Sequence, residues 1–167
     1  MTQMKKMKTK NSMKIFITIL FIFTTLLSAE NIDIDKLVKV AKKTDKHLFV
    51  FLHKPYCGFC KRMIKDSLED EWCKAKIDEK FIFVDIDIRD KGYVKYKNFK
   101  GTKHEFAKHL GYDFYPTSIF LDKNNEVIYV QPGYQNEMNL LDILEFVSTN
   151  SYKEMDIEDF KYKVEHD

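Results

Sequence analysis

Cys57-Gly58-Phe59-Cys60 follows an apolar run, Leu48 to Leu52, and precedes a segment suited to a helix, Lys61 to Leu68. The run has the length and content of a buried strand, so two cysteines stand at a strand-to-helix corner. Residues i and i+3 of a helical first turn share one face, roughly 5–6 Å apart, inside the window that a disulfide accepts. At a helix N-terminus the backbone N–H groups and the helix dipole favour Cys57 as a thiolate. His53 and Lys54, just upstream, add positive potential. Cys60, one turn further in, is expected to be more buried and less ionised. One attacking and one resolving sulfur are the minimum for thiol–disulfide exchange.

Two other readings of the pair stand beside this one. Half of a zinc site needs two more ligands. Cys73, His53, His104 and His109 are the candidates, and none forms a second tight pair. A structural staple closing so short a loop would stabilise little by the chain-entropy argument.

The chain has 167 residues, enough for one domain with a core. Its first stretch is set apart. Residues 1–14 carry five lysines and no acid, Ile15 to Leu27 is nearly all apolar, and Leu27-Ser28-Ala29 ends in a small residue before Glu30. This is the layout of a secretory signal peptide. The 13-residue apolar run is short for a membrane span, which needs about 20 residues. Residues 1–29 are therefore expected to be a cleaved signal peptide, with an uncleaved membrane anchor as the alternative, and the expected localisation is periplasmic. Removing five positive charges takes the net charge from +2 to −3, so the basicity belongs to the export signal. On charge, no nucleic-acid partner is expected. An oxidising compartment obliges an exposed dithiol to have a redox partner if it is to stay reduced.

Asp33 to Thr44 reads as an amphipathic helix, with Ile34, Leu37, Val38 and Ala41 at helical spacing. A second short helix is expected over Asp70 to Ile77, carrying Trp72 and Cys73. Phe81 to Ile88 reads as a strand, joined to the strand before the cysteines by a helical crossover, so the two should be parallel. Arg89 to Gly101 reads as a solvated connection. Thr102-Lys103-His104-Glu105 is a capping box opening a helix that stops at Gly111. Pro116-Thr117 leads into an apolar strand, Ser118 to Leu121. A turn over Asp122 to Asn125 and a second strand, Glu126 to Val130, complete an antiparallel hairpin. After Pro132-Gly133, a helix is expected over Asn136 to Ser148. Ser151-Tyr152-Lys153-Glu154 reads as another capping box, opening a last helix. The order gives a mixed sheet with helices on both faces and places the thiols at the carboxyl end of a sheet strand, where open α/β sheets put their sites.

Three features together resemble the thioredoxin superfamily: Tyr56-Cys57-Gly58-Phe59-Cys60-Lys61, Tyr115-Pro116-Thr117 before Ser118-Ile119-Phe120-Leu121-Asp122, and Pro132-Gly133-Tyr134. The resemblance covers roughly residues 33–150 and is nearest to exported proteins of the SoxW type and to the catalytic domain of the disulfide isomerase DsbC. It implies an α/β thioredoxin fold with a mixed four-to-five-stranded sheet and a domain over residues 30–150, and the residue pattern after it adds a helical extension over 151–167. It also implies that Cys57 is the nucleophile, Cys60 the resolving cysteine and Pro116 a cis-proline. The turn would offer the Tyr115 backbone to an extended substrate by strand addition. Tyr115, Pro116, Thr117, Tyr56 and Phe59 are the expected substrate-binding residues, and His53 and Lys54 the expected tuners of Cys57. The chain departs from the family where an acid is usual six residues before the first cysteine, since Phe51 stands there.

The resulting expectation is an exported thiol:disulfide oxidoreductase, working as a reductase, with no cofactor and no metal. Its partners would be disulfide-containing exported proteins and a membrane electron donor of the DsbD or CcdA kind, and a monomer is expected. The same fold run as an oxidant, and a non-catalytic metal-binding protein, are the alternatives. Cys73 is expected to be a reduced core residue beside Trp72, with a regulatory disulfide as the sharper reading.

Overall fold

Asp33 ends a two-residue strand, β1 (Ile32–Asp33), and caps the helix that follows, its carboxylate accepting from Lys36 N–H at 3.0 Å. This computed structural model describes residues 31–166, so the expected signal peptide lies outside the described residues. Helix α1 (Ile34–Thr44) buries Ile34, Val38 and Ala41 and ends at Asp45, whose φ of 58° is left-handed. Among the described residues no helix is long and apolar enough to cross a membrane.

The next strand, β2 (His47–His53), is buried over its first six residues, which makes it central. Alternate side chains of a strand face opposite ways. Leu48, Val50 and Leu52 accordingly enter one core with α1, while Phe49 and Phe51 enter the other. The dithiol helix α2 (Gly58–Met63) starts three residues earlier than sequence reading placed it, because Cys57 itself is the cap. A π-helical turn (Ile64–Leu68) follows, then α3 (Glu71–Lys80), capped by Asp70. Strand β3 (Phe81–Asp87) pairs parallel to β2, His53 opposite Asp87.

Residues 89–101 are not the solvated connection expected. They hold β4 (Tyr93–Tyr96) and β5 (Phe99–Thr102), an antiparallel pair that forms a small sheet with β1, Ile32 opposite Val94. Val94 and Tyr96 point inward while Tyr93 and Lys95 point out. That period-2 pattern is masked in the sequence by the flanking polar residues, and it acquires a buried face only through α1 and helix α4 (Lys103–His109) beneath it.

Thr102 and Glu105 form the expected capping box on α4. Strand β6 (Thr117–Leu121), wholly buried, pairs antiparallel to β2 and to β7 (Val127–Pro132). The central sheet therefore has four strands in the order β3-β2-β6-β7. Helix α5 (Glu137–Ser148) follows and packs against α3. The expected capping box at Ser151 is absent. Ser151–Lys153 is a 3-10 turn entered through left-handed Asn150, and the last helix, α6 (Ile157–His166), starts later, with Asp159 N–H bonded to Asp156. Phe160 of α6 is buried against Phe146, so the extension is docked on the second core.

The two cores lie on opposite faces of the central sheet. One gathers α1, α4 and the small sheet; the other gathers α2, α3, α5 and α6. Both faces of β2 are thereby covered, which is why its sequence is a continuous apolar run rather than an alternating one.

Candidate functional site

Cys57 caps the helix at the carboxyl end of β2. Its φ of −97° is extended, and its sulfur accepts from the Cys60 N–H at 3.1 Å. The two sulfurs lie at disulfide distance, 2.09 Å, with the Cα atoms 5.2 Å apart. An N–H donor aimed at a sulfur stabilises its anionic form, and so does the helix terminus behind it. Cys60 is more deeply buried, at 1% exposure against 8% for Cys57.

The loop before β6 comes over this corner. The Cys57 sulfur is 3.7 Å from the Tyr115 carbonyl oxygen, and the Tyr115–Pro116 peptide bond is cis. Thr117 holds the loop shut, its hydroxyl donating to the Phe114 carbonyl at 2.6 Å. Gly133 N–H donates to the Pro116 carbonyl at 2.8 Å, so the end of β7 supports the loop from behind. Lys54 extends across the corner, its ammonium 5.2 Å from the Tyr115 ring.

The structure thus gathers Cys57, Cys60, Lys54, Tyr115, Pro116 and Thr117. Tyr56 and Phe59 flank the sulfur in sequence and stand out in solvent. The Tyr115 ring is half-buried against the first core, and the exposed ring of the loop is Phe114. Pro116 and Thr117 are buried.

His53 is engaged on the other side of β2. Its Nε2 is 2.8 Å from a carboxylate oxygen of Asp85 of β3, an ion-pair contact. Burial lowers the His53 pKa, but the charges of Asp85, Asp87 and Asp90 outweigh it and hold the group above its ordinary value. Strand β3 and the proline loop lie on opposite sides of β2, so His53 belongs to a separate acidic cluster, and among the described residues no hydrogen bond joins it to the cysteines. Phe51, where the resemblance puts an acid, is fully buried with its ring 5.5 Å from that of His53.

Sequence reading did not assign Ser67, Arg62 or Phe114. Ser67 is fully buried and donates to the Gln135 carbonyl at 2.6 Å, tying the dithiol helix to the loop after β7. Arg62 lies over the Tyr134 ring at 4.6 Å, and the Phe59 ring is 6.5 Å from it. The available signal was Pro132-Gly133-Tyr134, a chain break followed by an aromatic.

Cys73 is fully buried, its sulfur 3.4 Å from the Glu137 carbonyl, and burial pushes its pKa up to about 12. Trp72 beside it is exposed. Among the described residues no three His, Cys, Asp or Glu side chains converge as metal ligands. His104 and His109 are exposed on α4.

A family model of a thioredoxin-like domain matches residues 34–148, more than half of the chain. A thioredoxin-fold protein from Helicobacter pylori is similar in structure, with 25% identity and a TM-score of 0.59 over 78% of this chain and 94% of that one. A thioredoxin from Thermus thermophilus shares 17% identity, with a TM-score of 0.56 over 72% of this chain and 88% of that one. A disulphide isomerase from Xylella fastidiosa shares 19% identity, with a TM-score of 0.54 over 69% and 88%. No curated protein matches the sequence.

Proposed function

This chain belongs to the thioredoxin-like family, and on that premise we propose that it is an exported thiol:disulfide oxidoreductase that works as a reductase. The observation that carries the reading is the Cys57–Cys60 pair at the first turn of α2, under the Tyr115–Pro116 loop.

The step is an exchange of sulfur–sulfur bonds. The Cys57 thiolate attacks one sulfur of a substrate disulfide, and the other substrate sulfur leaves as a thiolate and takes a proton. Cys60, as thiolate, then attacks the Cys57 sulfur of the mixed disulfide. The second substrate thiol leaves, and the Cys57–Cys60 bond forms. Two electrons pass from the protein dithiol to the substrate, and a dithiol donor must return them. The Cys60 N–H donated to the Cys57 sulfur supports Cys57 as attacker, and deeper burial supports Cys60 as the internal partner.

The site of action we infer is periplasmic, from the charged and apolar pattern of residues 1–29. The substrates are disulfide-containing exported proteins, and the electrons come from a membrane donor of the DsbD or CcdA kind. The extended substrate backbone meets the Tyr115–Pro116 loop by strand addition, in a site that resembles those of the SoxW type and the DsbC catalytic domain.

The test is the reduction potential of the Cys57/Cys60 couple, measured against glutathione buffers. A value near about −270 mV supports a reductase, and a value near about −120 mV overturns that direction in favour of an oxidant.

A further inference from the structure

Three aromatic rings stand in solvent around the buried sulfur of Cys57. Tyr56 is 97% exposed, Phe114 73% and Phe59 62%, while Cys57 is 8% exposed. Tyr56 directly precedes the cysteine, and Phe114 precedes the residue whose carbonyl is 3.7 Å from its sulfur. Tyr56 also has a φ of 59°, a left-handed backbone that a bulky side chain rarely adopts. The chain thus holds a strained residue in place while leaving its ring wholly unburied, a combination that collects at ligand-binding positions. Clustered exposed aromatic surface marks an interaction site.

The charge around this collar is one-sided. Between residues 54 and 66 the exposed charged groups are Lys54, Lys61, Arg62 and Lys65 against one acid, Asp66, which already lies 3.5 Å from Arg62. The facing loop adds a single acid, Asp113. The acids of β3, Asp85 and Asp87, are on the far side of β2 from that loop, and Asp85 is spent on His53. Downstream of residue 29 the chain is net negative, so cations are concentrated at the dithiol against the overall balance.

Resting on the dithiol reading above, we propose that the disulfide attacked by Cys57 lies in a polypeptide segment that is aromatic or aliphatic beside its cysteine and acidic a few residues further on. The collar contacts side chains next to the attacked cysteine. Lys61 is one turn along α2 and Lys65 about one turn further, in the π-helical turn that follows, roughly 6 and 12 Å from Cys57. That distance is covered by about two to four residues of extended chain, which sets where the acids fall. A small disulfide reaches the sulfur and touches neither feature.

The experiment uses the purified, reduced protein and disulfide peptides that differ at two places. The position beside the cysteine is Phe or Ser, and the position three residues on is Asp or Lys. Oxidation of the protein is followed by acid quenching, alkylation and mass spectrometry, with bis(2-hydroxyethyl) disulfide as the small reference. The Phe/Asp peptide is expected to react about tenfold faster than the Ser/Lys peptide, the size of partial aromatic burial plus a screened charge pair. The Asp-over-Lys preference should shrink as ionic strength rises from about 0.05 to 0.5 M. Lys61→Glu with Lys65→Glu should reverse that preference, and Phe114→Ser should reduce the Phe-over-Ser ratio. Ratios within one variant are immune to a general loss of folded protein. Equal rates for all peptides, with the small disulfide still reduced, overturn this proposal and leave the dithiol chemistry standing. An aromatic preference with no charge preference overturns its acidic half. Failure to reduce any disulfide overturns the dithiol reading itself, and this proposal with it.

Discussion

The sulfur of Cys57 and the carbonyl oxygen of Tyr115 face each other at 3.7 Å, across 58 residues of sequence. The polar contact from the pair to the loop on which a substrate backbone would lie is made by Cys57. Replacing Cys60 by Ala should therefore leave an attacking sulfur with no internal partner, so that mixed disulfides accumulate on Cys57 and appear on non-reducing gels. Cys57→Ala should trap nothing and reduce disulfide turnover to background. Trapping by both variants to the same extent would show that the two sulfurs are interchangeable.

Cys73 should be chemically silent in the folded protein. With its pKa at about 12 it is a thiolate in only about one molecule in ten thousand at pH 8, and its side chain is sealed from solvent. After reduction Cys57 should alkylate in native buffer, and Cys73 only in denaturant. Modification of Cys73 at a rate near that of Cys57 would contradict the structure. Cys73→Ala should cost about 1–2 kcal/mol through the small cavity it leaves.

Ser67 should matter more than its type suggests. It lies in the π-helical turn after the dithiol helix, fully buried, and its hydroxyl is bonded to the Gln135 carbonyl. Ser67→Ala leaves that part-buried acceptor with one partner fewer, a loss of about 0.5–1.5 kcal/mol in urea denaturation. A change below a few tenths of a kcal/mol would mean that the carbonyl finds water.

His47 and His53 end the same strand and should respond to pH in opposite directions. His47 is buried between the Phe81 and Tyr152 rings, and burial, then the charge of Lys123, depresses its pKa below 6.5. The unfolded chain then binds the proton more readily, so stability is lost as pH falls from about 6.5 through the folded value. His53 is the reverse. Its pKa is raised above 6.5 by Asp85, Asp87 and Asp90, so its contribution is complete below about 6.5 and lost as pH rises through the folded value. His47→Phe should flatten the acid side of the stability profile, and Asp85→Asn should lower the His53 midpoint in a proton NMR titration. A wild-type His53 midpoint below 6.5 would reverse the sign assigned here.

Much of this protein is legible in the order of its residues. Leu48–Leu52, the two cysteines and the helical crossover to Phe81 give a parallel pair with thiols at its carboxyl end, because strand and helix periods are local properties. The Thr102–Glu105 capping box and the Asp122–Asn125 turn are local too, since each bonds within four residues. Folding decided the features that depend on distant chain. Arg89–Gly101 reads as a polar connection until Ile32, Asp33 and α1 give Val94 and Tyr96 a sheet and a buried face. Sequence placed His53 near Cys57 along the chain, yet the pairing of β2 with β3 delivers it to Asp85 instead. Phe114, not Tyr115, keeps its ring in water because Tyr115 turns onto the first core. Short-range pattern sets what an element is, whereas which partner a side chain meets depends on how strands register, and that is settled only when the sheet has closed.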